Sequence, residues 1–133
     1  MSPVTYEMER IISAQQLADV FSRSGITRPV HDLARLTKML EHANILITAW
    51  DGDRLVGVAR ALSDFSFCCY LSDLAVDLDY QESGIGKKLI ALTRQAAGDQ
   101  SMLLLLAAPD AMPYYPKVGF EAVANGWIIK RNA

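Results

Sequence analysis

Between Cys68 and Ala107 the hydrophobic period changes twice, and this limits the folds open to the chain more than any other feature. "CCYLSDLAV", Cys68 to Val76, is a run that suits a strand. In "DYQESGIGKKLI", Asp79 to Ile90, two glycines stand two residues apart and an apolar pattern starts once they end. Ile85, Leu89, Leu92 and Ala96 then mark a helix that stops near Gly98. "MLLLLA", Met102 to Ala107, is apolar on every side, as expected of a strand covered on both faces by helices. Strand, crossover helix, strand is the unit that makes a parallel pair. The chain must therefore build a sheet with a parallel pair in it.

The remaining segments fill out that sheet. "VTYEME" reads as a short strand. "ISAQQLADVF" enters a helix through a capping box of Ser13 and Gln16, with Ile12 able to staple onto Leu17, and Leu17, Val20 and Phe21 on one face. A second helix follows Pro29, with Leu33, Leu36, Leu40 and Ala43 as its apolar stripe. "ILITAW" and "RLVGVARAL" flank "DGD", where Asp51-Gly52 signals a hairpin. After Ala107 we expect a short helix around "DAMPYYPKV" and two strands, roughly "FEAVA" and "WIIKR". The expected order is β-α-α-β-β-β-α-β-α-β-β. That is an α/β (α+β) fold with one mixed sheet and helices on both faces. No repeat or low-complexity linker divides the chain, so residues 1–133 read as one domain.

Charge and composition remove several classes of function. A net charge of −2, with no clustered excess of Lys and Arg in the sequence, gives no reason to expect a nucleic-acid surface. "MSPVTYEMER" lacks the start of a signal peptide, and no run approaches the roughly 18 apolar residues of a membrane span, so a cytoplasmic protein is expected. Cys68 and Cys69 are adjacent and read as small apolar strand residues. His31 and His42 have no ligand-like spacing, and no metal site is assigned.

The two-glycine loop asks for more. It follows an apolar strand and opens a helix, whose first N–H groups are unpaired and carry about half a positive charge. Gly84 and Gly86 allow a ligand to approach the backbone, and Lys87 and Lys88 add charge. The plainer reading is a simple turn with solvated lysines. On the residues alone both readings stay open. A Walker loop needs a longer spacing, and a Rossmann fingerprint needs a third glycine after the first strand.

The longer stretch "LAVDLDYQESGIGKKLI" resembles the acyl-CoA signature of the GNAT superfamily of N-acyltransferases, with Gln81, Gly84 and Gly86 at its motif positions. Leu78 stands where many members have Pro, and Glu82 where many have Gly. A carboxylate there would repel pyrophosphate unless it points to solvent, and we expect Glu82 to point away. "PYYPKVGF", Pro113 to Phe120, is similar to the family's late helix and following strand. The resemblance spans nearly the whole chain in element order. It implies acetyl-CoA as cosubstrate and no metal. Leu74, Ala75 and Val76 would offer backbone groups to the pantetheine arm. Gln81, Glu82, Ser83, Gly84, Ile85, Gly86 and Lys87 would cradle the pyrophosphate. The Val76 N–H would meet the thioester oxygen, and Tyr115 would be the catalytic residue that protonates the leaving thiolate.

The acceptor is less defined. Asp73 is a candidate base, but alternation turns it away from the face of Leu74, and a structural acceptor is the stronger reading. Phe21, Arg28, Phe65, Phe67 and Tyr70 lie in segments that usually shape the acceptor pocket of such proteins. "ARALSDF" with "RPVHDL" is similar to the bacterial and plastid-type serotonin acetyltransferase branch, which implies an aromatic or aliphatic primary amine as small-molecule partner. An acyl-CoA-binding sensor or structural subunit, a protein or peptide acetyltransferase, and a homodimer all stay open.

Overall fold

In the computed structural model, residues 3–81 and 83–132 are described. Strand β1 (Thr5–Glu7) leads to helices α1 (Ala14–Ser24) and α2 (Leu33–His42). Strands β2 (Ile45–Asp51), β3 (Arg54–Ser63) and β4 (Cys68–Val76) follow, then helix α3 (Ile85–Ala97) and strand β5 (Met102–Leu104). The local signals explain these bounds. Ser13 Oγ accepts from the Gln16 amide at 3.0 Å while Gln16 Oε1 accepts from the Ser13 amide at 2.9 Å, so the capping box starts α1. Gly52, at φ 59°, makes the tight turn between β2 and β3.

The five strands lie in the order β1-β2-β3-β4-β5, antiparallel except for the parallel pair of β4 and β5. Alternation along the strands sends side chains to two separate cores. On one face Ile47, Ala49 and Leu71 pack with Ile85, Leu89 and Ile90 of α3. On the other, Trp50, Val58 and Ala75 pack with Leu17, Val20 and Phe21 of α1 and Leu36 of α2. The mixed sheet with helices on both faces is thus as expected.

One irregularity shapes everything that follows. The register of β3 on β4 passes from Arg60↔Asp73 to Ala61↔Leu71, which leaves Ser72 as an extra residue in β4. An extra residue bends the strand that carries it. β5 pairs with β4 only at Cys68 to Tyr70, just before that bend, and β4 runs on to Val76 without β5 beside it. The sheet is splayed there.

The C-terminal part departs from expectation. β5 ends at Leu104 instead of Ala107, and its residues are exposed or half-buried because it lies at the sheet's edge. Around Pro113 and Pro116 there is no α-helix but two short 3₁₀ turns, Pro109–Ala111 and Tyr115–Val118, since each proline removes a helical donor. The strands expected at "FEAVA" and "WIIKR" are not formed. Residues 121–132 have no regular structure and are exposed, because a strand needs a paired partner and none of the described strands pairs with them.

Candidate active site

Side chains cap two of the α-helices: Ser13 caps α1 and Asp32 caps α2. Helix α3 differs. Its N-cap is Gly84, at φ 80°, with no side-chain hydrogen bond, and the first intrahelical acceptor is reached by Lys88 N to Gly84 O at 3.1 Å. The amides of Ile85, Gly86 and Lys87 therefore have no partner among the described residues, and they point out of a helix end that favours negative charge. Ser83, Lys87 and Lys88 are exposed around them. Glu82, expected to point to solvent, lies outside the described residues. Gln81 Nε2 donates to the Val76 carbonyl at 3.1 Å and ties the loop back to β4.

The two glycines serve different needs. Gly84 has open space around it but a left-handed φ. Gly86 is helical, and a Cβ there would sit 3.0 Å from the Tyr114 hydroxyl and 3.8 Å from Val76 Cγ2. Its missing side chain gives room, not backbone freedom.

The splay lies beside this loop. Asp77 N donates to Val56 O at 2.8 Å, so in the antiparallel alternation Asp77 and Ala75 turn their backbone groups to β3, while Leu74 and Val76 turn theirs to the side that β5 has left. Leu74 and Val76 thus lie at the gap with their backbone groups turned into it. The backbone of Ala75 faces β3 and its side chain lies in the α1 and α2 core.

Two buried carboxylates brace the gap, and the pairing at each was missed from sequence. Asp73, fully buried, accepts from Arg28 Nε on one oxygen and from Arg60 Nε on the other. Arg28 Nη2 also donates to Ser72 O at 2.8 Å and Arg60 Nη2 to Ser72 Oγ at 3.0 Å, so the pair clasps the bulge itself. With both oxygens engaged, Asp73 is a strut and not a base. Asp77 accepts from Arg23 Nε at 3.0 Å, Arg54 Nη2 at 2.8 Å and the Asp79 amide at 2.9 Å. Burial pushes the Asp77 carboxyl up, but the Asp79 amide and the two guanidinium groups outweigh that and hold it below the usual carboxylate range. This fixes the turn that leads into the loop.

Tyr114 and Tyr115 sit edge to face, ring centroids 5.3 Å apart. Tyr115 leans on Phe120 at 5.5 Å and lines the groove beside β5, whereas the Tyr114 hydroxyl lies over Gly86. Burial raises both phenols above the ordinary tyrosine value, and Tyr114 adds to the shift of Tyr115. Both stay protonated at neutral pH.

Of the acceptor candidates, Phe21 is core, with no exposed surface, and Arg28 is spent on Asp73. Phe65, Phe67 and Tyr70 are exposed on the β3–β4 loop and the start of β4. Asp64 shapes that loop: Oδ1 accepts from the amides of Ser66, Phe67 and Cys68, which lower its carboxyl to about 2. Among the described residues no helix is long and apolar enough to cross a membrane.

The profile of the acetyltransferase (GNAT) domain family matches residues 14–129. An uncharacterized N-acetyltransferase, ycf52, of Porphyra purpurea is 36% identical over 129 residues, 91% of this chain and 67% of the relative. A chloroplastic GCN5-related N-acetyltransferase 2 of Arabidopsis thaliana is 37% identical over 78 residues, 55% of this chain and 29% of its own. Among solved structures, SA2161, a probable acetyltransferase of Staphylococcus aureus, superposes with a TM-score of 0.81 over 97% of this chain and 100% of that one, at 24% identity.

Proposed function

Because the chain belongs to the GNAT family of acetyltransferases, we propose that it transfers an acetyl group from acetyl-CoA to a small primary amine by direct attack in a ternary complex. One observation carries this reading: the uncapped start of α3 opens beside the unpaired edge of β4. The amides of Ile85, Gly86 and Lys87 would hold pyrophosphate, with Lys87 and Lys88 adding charge. Leu74 and Val76 would pair with the pantetheine amides as a neighbouring strand does. Bound acetyl-CoA supplies an activated thioester.

The chain's own groups then have definite tasks. The Val76 N–H, on the residue whose carbonyl accepts from Gln81 Nε2, would donate to the thioester oxygen. Tyr115, at the family's motif position, would give its phenol proton to the departing sulfur. An alkyl amine with a pKa of about 10.4 is neutral in fewer than about one molecule in a thousand at pH 7, so a proton must leave it first. Asp73 is engaged by two arginines, and the reading leaves that proton to water. For the acceptor, exposed Phe65, Phe67 and Tyr70 favour an apolar or aromatic body, while Asp64 is occupied by backbone amides.

A specific contact favours a second reading of the acid, since it is Tyr114 whose hydroxyl reaches Gly86. Amine-dependent thiol release from acetyl-CoA, measured with acetyl-CoA affinity, tests both. Tyr115→Phe is expected to lose at least about tenfold in kcat with affinity nearly constant, and Tyr114→Phe to change affinity alone. A kcat loss confined to Tyr114→Phe would move the acid there. Undiminished kcat in both would remove the phenol from the mechanism, and thiol release indifferent to amine would remove the transferase reading.

A further inference from the structure

We propose that the acceptor is a free apolar α-amino acid, held by its carboxylate at Arg28 with its side chain on a floor formed by Leu62 and Tyr70. This rests on the acetyl transfer proposed above and narrows its amine to one that carries an acid.

An excess of charge at the bulge carries the inference. Arg28 and Arg60 share one carboxylate, Asp73, and among the described residues neither forms an ion pair with another acid. Asp32, the next acid along the chain from Arg28, accepts from the Arg35 amide at the start of α2. Two guanidinium groups on one carboxylate leave a net positive charge beside Ser72, where β4 and β5 part. Arg60 is buried, but Arg28 is partly exposed. A guanidinium has five N–H groups. Arg28 Nε donates to Asp73, Nη1 to Thr27 O at 2.6 Å and Nη2 to Ser72 O at 2.8 Å, so the group is fixed in place and each terminal nitrogen keeps one N–H without a partner among the described residues. A fixed guanidinium with donors to spare suits a carboxylate.

Its surroundings indicate the rest of the molecule. Cys69 and Leu71 point into the α3 core, so Tyr70 between them turns to the face of α1 and α2, and Leu62 of β3 is its cross-strand partner. Both are exposed, since neither helix covers this end of the sheet. Arg60 donates to Met39 O of α2 on the same face, and Arg28 comes from the loop between α1 and α2. Along β4 the order from the gap is therefore the backbone of Val76 and Leu74, then the cationic group at Ser72, then the apolar floor at Tyr70. An amine, a carboxylate beside it and an apolar side chain beyond is the order of groups in an apolar amino acid. Val76 and Ser72 are about 13 Å apart along the strand, within reach of an acetyl group, an amino acid backbone and the hydrogen bonds at its two ends. In the reaction the α-ammonium loses one proton to water and its nitrogen attacks the thioester carbon. As the C–N bond forms and the C–S bond breaks, the nitrogen gives up a second proton, equal to the one the thiolate takes up, and N-acetyl amino acid and CoA thiol leave.

The test is thiol release from acetyl-CoA by the full chain with phenylalanine, tryptophan and leucine, each set against its amide and its decarboxylated amine, with products identified by mass. Each acid is expected to exceed both acid-free counterparts in kcat/KM by at least about tenfold. Arg28→Gln is expected to abolish that preference, which is a ratio within one protein and is not imitated by lost stability. If the variant does not fold, the preference of the unaltered chain should fall as sodium chloride is raised, because a partly exposed ion pair is screened. Counterparts used as well as the acids overturn the inference and leave the transfer reading standing. So does a preference that survives Arg28→Gln, or one indifferent to salt. Thiol release with none of these compounds overturns the inference, and the transfer reading falls with it if other primary amines are equally inert.

Discussion

Gly86→Val is expected to lower CoA affinity by at least about 100-fold, or about 2.7 kcal/mol, while leaving the domain folded. The space at Gly86 is already fully used: the first carbon of any side chain lies 3.0 Å from the Tyr114 hydroxyl and 3.8 Å from Val76 Cγ2. Two further methyl groups would project into the approach to the uncapped amides of α3. The helix itself tolerates the change, because Gly86 lies inside α3 and its φ is not positive. Gly86→Ala separates the two neighbours. In a Tyr114→Phe background the nearest ring atom is Cζ at 3.7 Å, ordinary van der Waals contact, so the alanine should be better tolerated there. Calorimetric titration with CoA reads all three variants. Affinity unchanged in Gly86→Val would put the phosphates elsewhere.

Asp73→Ala should destabilise the protein by about 3 kcal/mol, since removing the shared carboxylate leaves two guanidinium groups without a counter-charge. Arg60 is the more costly of the two, its side chain only 9% exposed against 27% for Arg28, and the lower end of the range for broken buried pairs is taken because Arg28 can reach water. For a chain of this size that corresponds to roughly 10 °C in Tm. The same substitution frees Ser72, whose carbonyl and hydroxyl the two arginines hold, and with it the bend that parts β4 from β5. CoA affinity is therefore expected to fall alongside stability. Thermal and urea unfolding followed by circular dichroism provide the measurement, and a variant as stable as its parent would contradict the role of Asp73 as a strut.

These two positions also show what could be read before the structure and what could not. Gly86 stands in a local motif, and local signals survive folding: the capping box at Ser13, the turn at Gly52 and the strand Cys68–Val76 all lie where the sequence placed them. Asp73 meets Arg28 and Arg60 across 45 and 13 residues. No periodicity reports such a pair, and alternation could only turn Asp73 away from Leu74. The turn of the Ala75 backbone toward β3 was hidden for a related reason, because a three-residue stretch named from a motif does not say which peptide faces which neighbour. The C-terminal strands failed differently. "WIIKR" has the composition of a strand, but pairing is settled by what lies alongside, and nothing in residues 121–132 specifies that.

The central claim is acetyl transfer to a small amine at the gap between β4 and β5. Its most direct test is thiol release from acetyl-CoA by the purified, unaltered chain, run against a panel of aromatic and aliphatic primary amines, basic peptides and aminoglycosides, with acetylated products identified by mass. Exposed Phe65, Phe67 and Tyr70, and an Asp64 carboxylate already engaged by backbone amides, predict turnover with the apolar-bodied amines in preference to the polycations. Turnover confined to aminoglycosides or peptides would contradict the acceptor, and acetyl-CoA that binds but is never consumed with any amine would contradict the claim itself.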